Sequence, residues 1–220
     1  MIMLSRELGV LADGVQEGRR TFVNILKYVR MGTSSNFGNM LSMALASLFL
    51  QFLPLLPVQI LVNNLLYDLS EIGIPFDRID ANELSHPHAW GMGGILRFTM
   101  IMGALSSVFD LVTFAVLLQG FETDPDTIRT AWFVESTATQ ILVIFLIRTH
   151  GRFWASRPQP LLVASSLGAL VVALAVVLSP VGHSFSFVSI PATLSAVIGI
   201  LVITYLIAAE FMKTFAARTR

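Results

Sequence analysis

Apolar residues run through most of this chain in long blocks, and the polar residues that break them are concentrated in the first two. A helix needs about 20 mainly apolar residues to cross a bilayer. On that criterion the pattern predicts spans over 35–53, 57–74, 97–118, 132–148, 160–179 and 190–210. The last two carry no charge before Glu210, whereas the second contains Asn63, Asn64, Asp68 and Glu71 and is a poor span on hydropathy alone. Pro54 and Pro57 bracket a turn that suits only a tight helical hairpin, so a crossing by the first block requires a return by the second. The expected fold class is therefore all-α: a polytopic six-transmembrane-helix bundle with a short cytoplasmic stalk helix.

Ahead of the first block, Phe22, Ile25, Leu26 and Val29 repeat at helical spacing, with Arg19, Arg20, Lys27 and Arg30 among them. Two readings fit. A helix continuous from about residue 15 into the membrane would be a rigid stalk that transmits motion; a separate basic amphipathic helix would anchor on anionic lipid.

Composition narrows the class. Hydrophobic residues make up 55% and charged residues 13%, with a mean hydropathy of +0.74; soluble domains carry about 25% charged residues. The net charge of zero and the lack of aromatics set among basic patches argue against a nucleic-acid partner. Without cysteine there is no disulfide framework, thiolate metal site or cysteine nucleophile. His86 and His88 lie together in a Pro-containing loop, a weak basis for a metal site. Arg6, Glu7 and Asp13 near the start are not the pattern of a secretory signal, and Met1–Leu4 reads as the end of a strand or soluble element belonging to something upstream.

Six crossings would place every lysine and arginine except Arg129 on one side, of 14 in all. Arg129 falls beside Glu122, Asp124 and Asp126. The positive-inside rule then puts both termini in the cytoplasm.

The polar residues inside apolar sequence carry the candidate chemistry. Asn36 and Asn39 are three apart, and Asn64, Asp68 and Glu71 follow at four and three, so each set can share a helix face. Facing one another, the two sets offer amide oxygens and carboxylates to a hard cation. The plain alternative for the asparagines is interhelical hydrogen bonding. It is weaker for Asp68, since a carboxylate at membrane depth needs a counter-charge, an ion or a retained proton. Glu71 reads as an access group or a hydrated one. Asp110, Glu135 and Gln140 are further candidates, for transport or for helix packing. Ser165 and Ser166 are expected to bond to their own helix, and Tyr205 to anchor near an interface.

No GxxxxGK[ST] phosphate loop, GxGxxG fingerprint, G-x-S-x-G elbow or HExxH pair occurs. A run of other motifs does. Glu17-Gly18-Arg19-Arg20-Thr21-Phe22 is followed by Ser34-Ser35-Asn36-Phe37-Gly38-Asn39, Pro57-Val58-Gln59-Ile60-Leu61 and Asn64-Leu65-Leu66-Tyr67-Asp68. Ile74-Pro75-Phe76-Asp77, Ser106-Ser107-Val108-Phe109-Asp110, Trp132-Phe133-Val134-Glu135 and Ile147-Arg148-Thr149 continue the series. In these stretches the chain resembles the membrane half of P-type cation-transporting ATPases, and most of all the bacterial magnesium-transporting branch.

The resemblance implies that the six spans are the family's transmembrane helices five to ten. Residues 1–31 would be the end of the phosphorylation domain and the cytoplasmic stalk, and 32–220 the C-terminal transmembrane domain. It implies that Asn36 and Asn39, with Asn64 and Asp68, are ligand positions for a divalent cation, Mg²⁺ being the expected cargo. The asparagine at 39 stands where calcium pumps have glutamate. The D-K-T-G-T, T-G-E-S and G-D-G-x-N-D motifs of the family are absent from these residues, so ATP enters only through a headpiece that they do not contain.

The expectation is a split or truncated pump portion without ATPase activity of its own. It would sit in the cell inner membrane or plasma membrane as a multi-pass protein, in contact with the lipid bilayer and with a complementary N-terminal ATPase half. The alternative is a noncatalytic accessory that packs against a transporter.

Overall fold

A computed structural model describes residues 8–79, 90–121, 124–149 and 151–216. His86, His88, Glu122 and the opening Met1–Leu4 lie outside the described residues. The described chain is all-α. Helix α1 covers Leu8–Ala46 and α2 Pro57–Glu71, followed by a 3-10 turn at Ile74–Phe76. Helices α3 (Met92–Gly120), α4 (Pro125–Ile147), α5 (Pro160–Leu178) and α6 (Ala192–Ala216) complete the bundle, with a second 3-10 turn at Pro180–Phe185. Proline opens α2, α4 and α5, where its missing N–H is no loss and its fixed φ suits a first helical turn. Helix α1 runs unbroken from the basic stretch through Asn36 and Asn39.

The expected count of six crossings is corrected to four. Among the described residues, only α3, α4, α5 and α6 are long and apolar enough to cross a membrane. The block expected over 35–53 is the tail of α1, which stops at Ala46 after Ser34, Ser35, Asn36, Asn39 and Ser42 have diluted its apolar face. The block expected over 57–74 is α2, only 15 residues. At 1.5 Å per residue it reaches about 22 Å, short of the roughly 30 Å of hydrocarbon, and it holds all four polar residues that made it doubtful. Helices α3 to α6 make the chain a multi-pass membrane protein.

Helix α4 is the axis of the bundle. Its apolar stretch is 72% buried, against 28% in α5 and α6, and it packs on α6, α5, α2, α3 and α1. Phe114 of α3 meets Trp132 of α4 with ring centroids 4.8 Å apart, at the centre of the largest apolar cluster. Helices α1 and α3 approach through Gly38 and Gly103. A Cβ on Gly103 would stand 2.5 Å from Phe37 Cδ1 and 3.0 Å from the Ser34 carbonyl, so glycine is what permits this crossing.

Hydroxyls join the helices where backbones come close. Ser107 of α3 donates to the Gly38 carbonyl of α1 at 3.0 Å. Ser165 and Ser166 of α5 both donate to the Ser70 carbonyl of α2, at 3.1 and 3.0 Å. Ser165 also bonds its own helix as expected, but both serines serve chiefly as an interhelical bridge. Tyr205 is not an interfacial anchor. It is buried on α6, with its ring 5.5 Å from Phe109 of α3.

Candidate functional site

Helices α1 and α2 each pack on α4, and a cavity of about 330 Å³ opens between the three. Asn36, Asn39, Asn63, Asn64 and Ser136 supply its polar wall; Met40, Met43, Leu55, Ile60 and Trp132 supply the apolar remainder. Helical spacing accounts for the asparagines. Residues 36 and 39 lie one turn apart on α1, and Pro57 starts α2 in a register that turns 63 and 64 toward it.

Two of these amides are held by α4. The Asn39 Oδ1 accepts from Gln140 Nε2 at 3.1 Å and from Ser136 Oγ at 3.2 Å, while Gln140 Nε2 also reaches Ser136 Oγ at 2.6 Å. The Asn63 Oδ1 accepts from Thr137 Oγ1 at 3.0 Å. Asn36 and Asn64 are exposed on the cavity wall and take no hydrogen bond within the described residues. An amide oxygen has two lone pairs, and both on Asn39 are taken by α4, so the neutral oxygen donors that the wall leaves for a hard cation are those of Asn36 and Asn64.

The structure thus brings Asn36, Asn39 and Asn64 to one cavity and leaves Asp68 out of its lining. Asp68 lies one turn beyond Asn64 on α2 and is exposed. Among the described residues no three His, Asp or Glu side chains cluster closely enough to hold a metal ion. Glu71 is buried rather than hydrated, its carboxylate facing Gly32 of α1 and the Tyr67 hydroxyl.

Sequence reasoning missed the second layer. Ser136 and Thr137, not among the candidates singled out from the sequence, bond the amides of Asn39 on α1 and Asn63 on α2. The available signal was the four-residue step from Ser136 to Gln140, which places both on one face of α4. The approach of α4 to α1 and α2 that makes this face matter is not written locally.

A polar hub closes the opposite end of α2. The Asp77 carboxylate is fully buried and takes Arg148 Nε at 2.9 Å and Nη2 at 3.2 Å, with Lys27 Nζ at 3.7 Å. Asn24 of α1 donates to the Pro75 and Asp77 carbonyls at 2.8 and 3.2 Å. The exit of α2 is therefore tied to the N-terminal half of α1 and to the end of α4.

The chain matches the family described as cation transporting ATPase, C-terminus, over residues 52–215. It is 37% identical to a magnesium-transporting ATPase, P-type 1, of Salmonella typhimurium (strain 14028s / SGSC 2262), and 35% identical to one of Escherichia coli (strain K12). In both cases 99% of this chain is covered and 25% of the relative. A calcium-transporting ATPase of Bacillus subtilis (strain 168) is 25% identical over 96% of the chain. The chain spans about a quarter of the length of the curated relatives it matches.

Proposed function

Because the chain belongs to the cation-transporting ATPase family, we propose that it forms the membrane portion of an ATP-driven pump for a divalent cation, Mg²⁺. The observation that carries this reading is the amide-walled cavity between α1, α2 and α4. Its relatives include proteins named for magnesium transport, and neutral amide oxygens suit an ion that keeps part of its water shell. Asn36 and Asn64 would hold the hydrated ion, with Asn39 beside them exchanging its α4 partners for the ion, and Asp68 would meet it one turn further along α2. Residues 1–31 would carry the end of a phosphorylation domain and the stalk, with the unbroken α1 passing force from an ATP-using headpiece to Asn36 and Asn39.

Four crossings also support cytoplasmic termini. The start of α3, the 148–159 connection and the end of α6 then share a face that holds Arg97, Arg148, Arg152, Arg157 and Lys213. The α3–α4 connection has Asp124 and Asp126 beside Arg129. Positive residues mark the cytoplasmic side.

The test is co-reconstitution of the chain with a complementary N-terminal ATPase half in liposomes, reading Mg²⁺ flux and ATP hydrolysis together. Asp68→Asn and Asn39→Ala should each lower flux at limiting Mg²⁺. Flux that is unchanged in both variants across Mg²⁺ concentrations would remove the cavity from the ion path.

A further inference from the structure

Behind the cavity wall, Asp110 of α3 and Glu135 of α4 bring their carboxyls into contact. They are 2% and 1% exposed, so both are withdrawn from water and from lipid. Asp110 is already served on both oxygens by neutral donors. Ser42 Oγ of α1 donates to Oδ2 at 2.5 Å, and Trp132 Nε1 of α4 donates to Oδ1 at 2.7 Å. Glu135 Oε2, in contrast, has no hydrogen-bond partner. Among the described residues no lysine or arginine is ion-paired with either group. The titratable side chain that faces them from α6 is Tyr205, a phenol and neutral at physiological pH.

Two ionised carboxylates in this position would place two negative charges in the bundle without a counter-charge. Like charges in contact cannot both ionise, and an unpaired charge at membrane depth costs several kcal/mol. One proton removes the first problem and lessens the second. It halves the charge and turns Glu135 from an acceptor lacking a donor into an O–H donor toward the Asp110 carboxylate, which Ser42 and Trp132 then stabilise.

We propose that Asp110 and Glu135 form a proton-binding site that holds one proton between the two carboxyls at the junction of α1, α3 and α4. The site is distinct from the amide cavity, with the Trp132 indole standing between the two. It does not depend on the chain being part of a magnesium pump.

Infrared spectroscopy of the whole chain in lipid bilayers tests it. At neutral pH the wild type should show the carbonyl band of a protonated carboxyl, shifted in D₂O. Glu135→Gln, which keeps shape and supplies an N–H donor to Asp110, should remove that component without lowering the unfolding midpoint. Asp110→Asn should keep the component but displace it, because the O–H loses its charged acceptor. If either variant fails to fold, the wild type grown with carboxyl-labelled glutamate should show the component displaced by the label. Absence of a protonated-carboxyl band in the wild type, or a band indifferent to both substitutions, overturns the proposal. Loss of the band on adding Mg²⁺ at fixed pH, reversed by chelation, would make the pair a metal site instead.

Discussion

Arg148 at the end of α4 grips Asp77 at the exit of α2 through two parallel bonds, Nε to Oδ2 at 2.9 Å and Nη2 to Oδ1 at 3.2 Å, with both side chains buried. The same carboxylate accepts from the Gln159 backbone N–H at 3.2 Å, and Arg148 also donates to the Ser156 and Arg157 carbonyls at 2.8 and 3.2 Å. Four stretches of chain therefore meet at one charge pair: α1 through Lys27, the exit of α2, the end of α4 and the segment that leads into α5. Any motion of the N-terminal half of α1 relative to the bundle has to work against this hub.

Removing Asp77 leaves Arg148 buried without its acid, and removing Arg148 leaves Asp77 with only the more distant Lys27; losing one member of a buried pair costs about 3–5 kcal/mol. Arg148→Ala and Asp77→Ala should each lower the unfolding midpoint of the purified chain in detergent. Arg148→Lys should recover only part of the loss, because an ammonium cannot reproduce the two-point geometry. A midpoint within error of wild type for Arg148→Ala would show that water reaches the pair.

Two glycines should respond in opposite ways to the same substitution. A Cβ on Gly73 would collide with the Leu162 backbone at the start of α5, whereas one on Gly168 in mid-α5 meets nothing within 4 Å. Gly73→Ala forces α2 and α5 apart and is expected to cost at least about 1–3 kcal/mol. Gly168→Ala should be neutral or stabilising by up to about 1 kcal/mol, since alanine suits a helix interior better. Equal unfolding midpoints for the two variants would contradict the close α2–α5 contact.

The Asn63–Thr137 bond, at 3.0 Å, pins α2 to α4 beside the cavity. Hydrogen bonds between membrane helices couple by about 0.6 kcal/mol on average and rarely above about 1.7. A double-mutant cycle with Asn63→Leu and Thr137→Val should give a coupling in that range, measured by unfolding in micelles. A value near zero would mean that the two side chains hydrate independently.

These tests fall largely on features that the sequence did not disclose. Helices α3 to α6 were legible because each is a run of apolar residues bounded by proline, glycine or charge, and their limits lie close to the expected blocks. The crossings expected before them were not, because a polar face that packs against protein and a span that faces lipid differ in tertiary setting rather than in local pattern. At the cavity, three-residue spacing was enough to foresee Asn36 and Asn39 together. The four-residue step from Asn64 to Asp68 suggested a shared site as well, but the cavity ends before that turn of α2. The partners on α4 and the Asp77–Arg148 pair depend on contacts between residues 71 to 101 positions apart, and no window along the chain contains both members.

Asp124 offers a measurement outside the membrane-spanning helices. It caps α4, its Oδ2 accepting from the Thr127 N–H at 3.1 Å and its Oδ1 from the Thr127 hydroxyl at 2.7 Å. These bonds favour the charged form, the Thr127 hydroxyl most of all, and hold the carboxyl below its ordinary value against a small opposing effect of burial. A folded value depressed below the unfolded one, near 3.9, stabilises the fold at neutral pH. That contribution is lost as pH falls below about 4 and through the folded value. The group is largely exposed, so solvent screening keeps the charge-dependent part small. Asp124→Ala should cost about 0.5–2 kcal/mol at neutral pH, the usual worth of an N-cap. Asp124→Asn should keep most of the cap and flatten the acid limb of the stability curve. An acid limb that is identical in Asp124→Asn and wild type would show that the carboxyl titrates alike in the folded and unfolded chain.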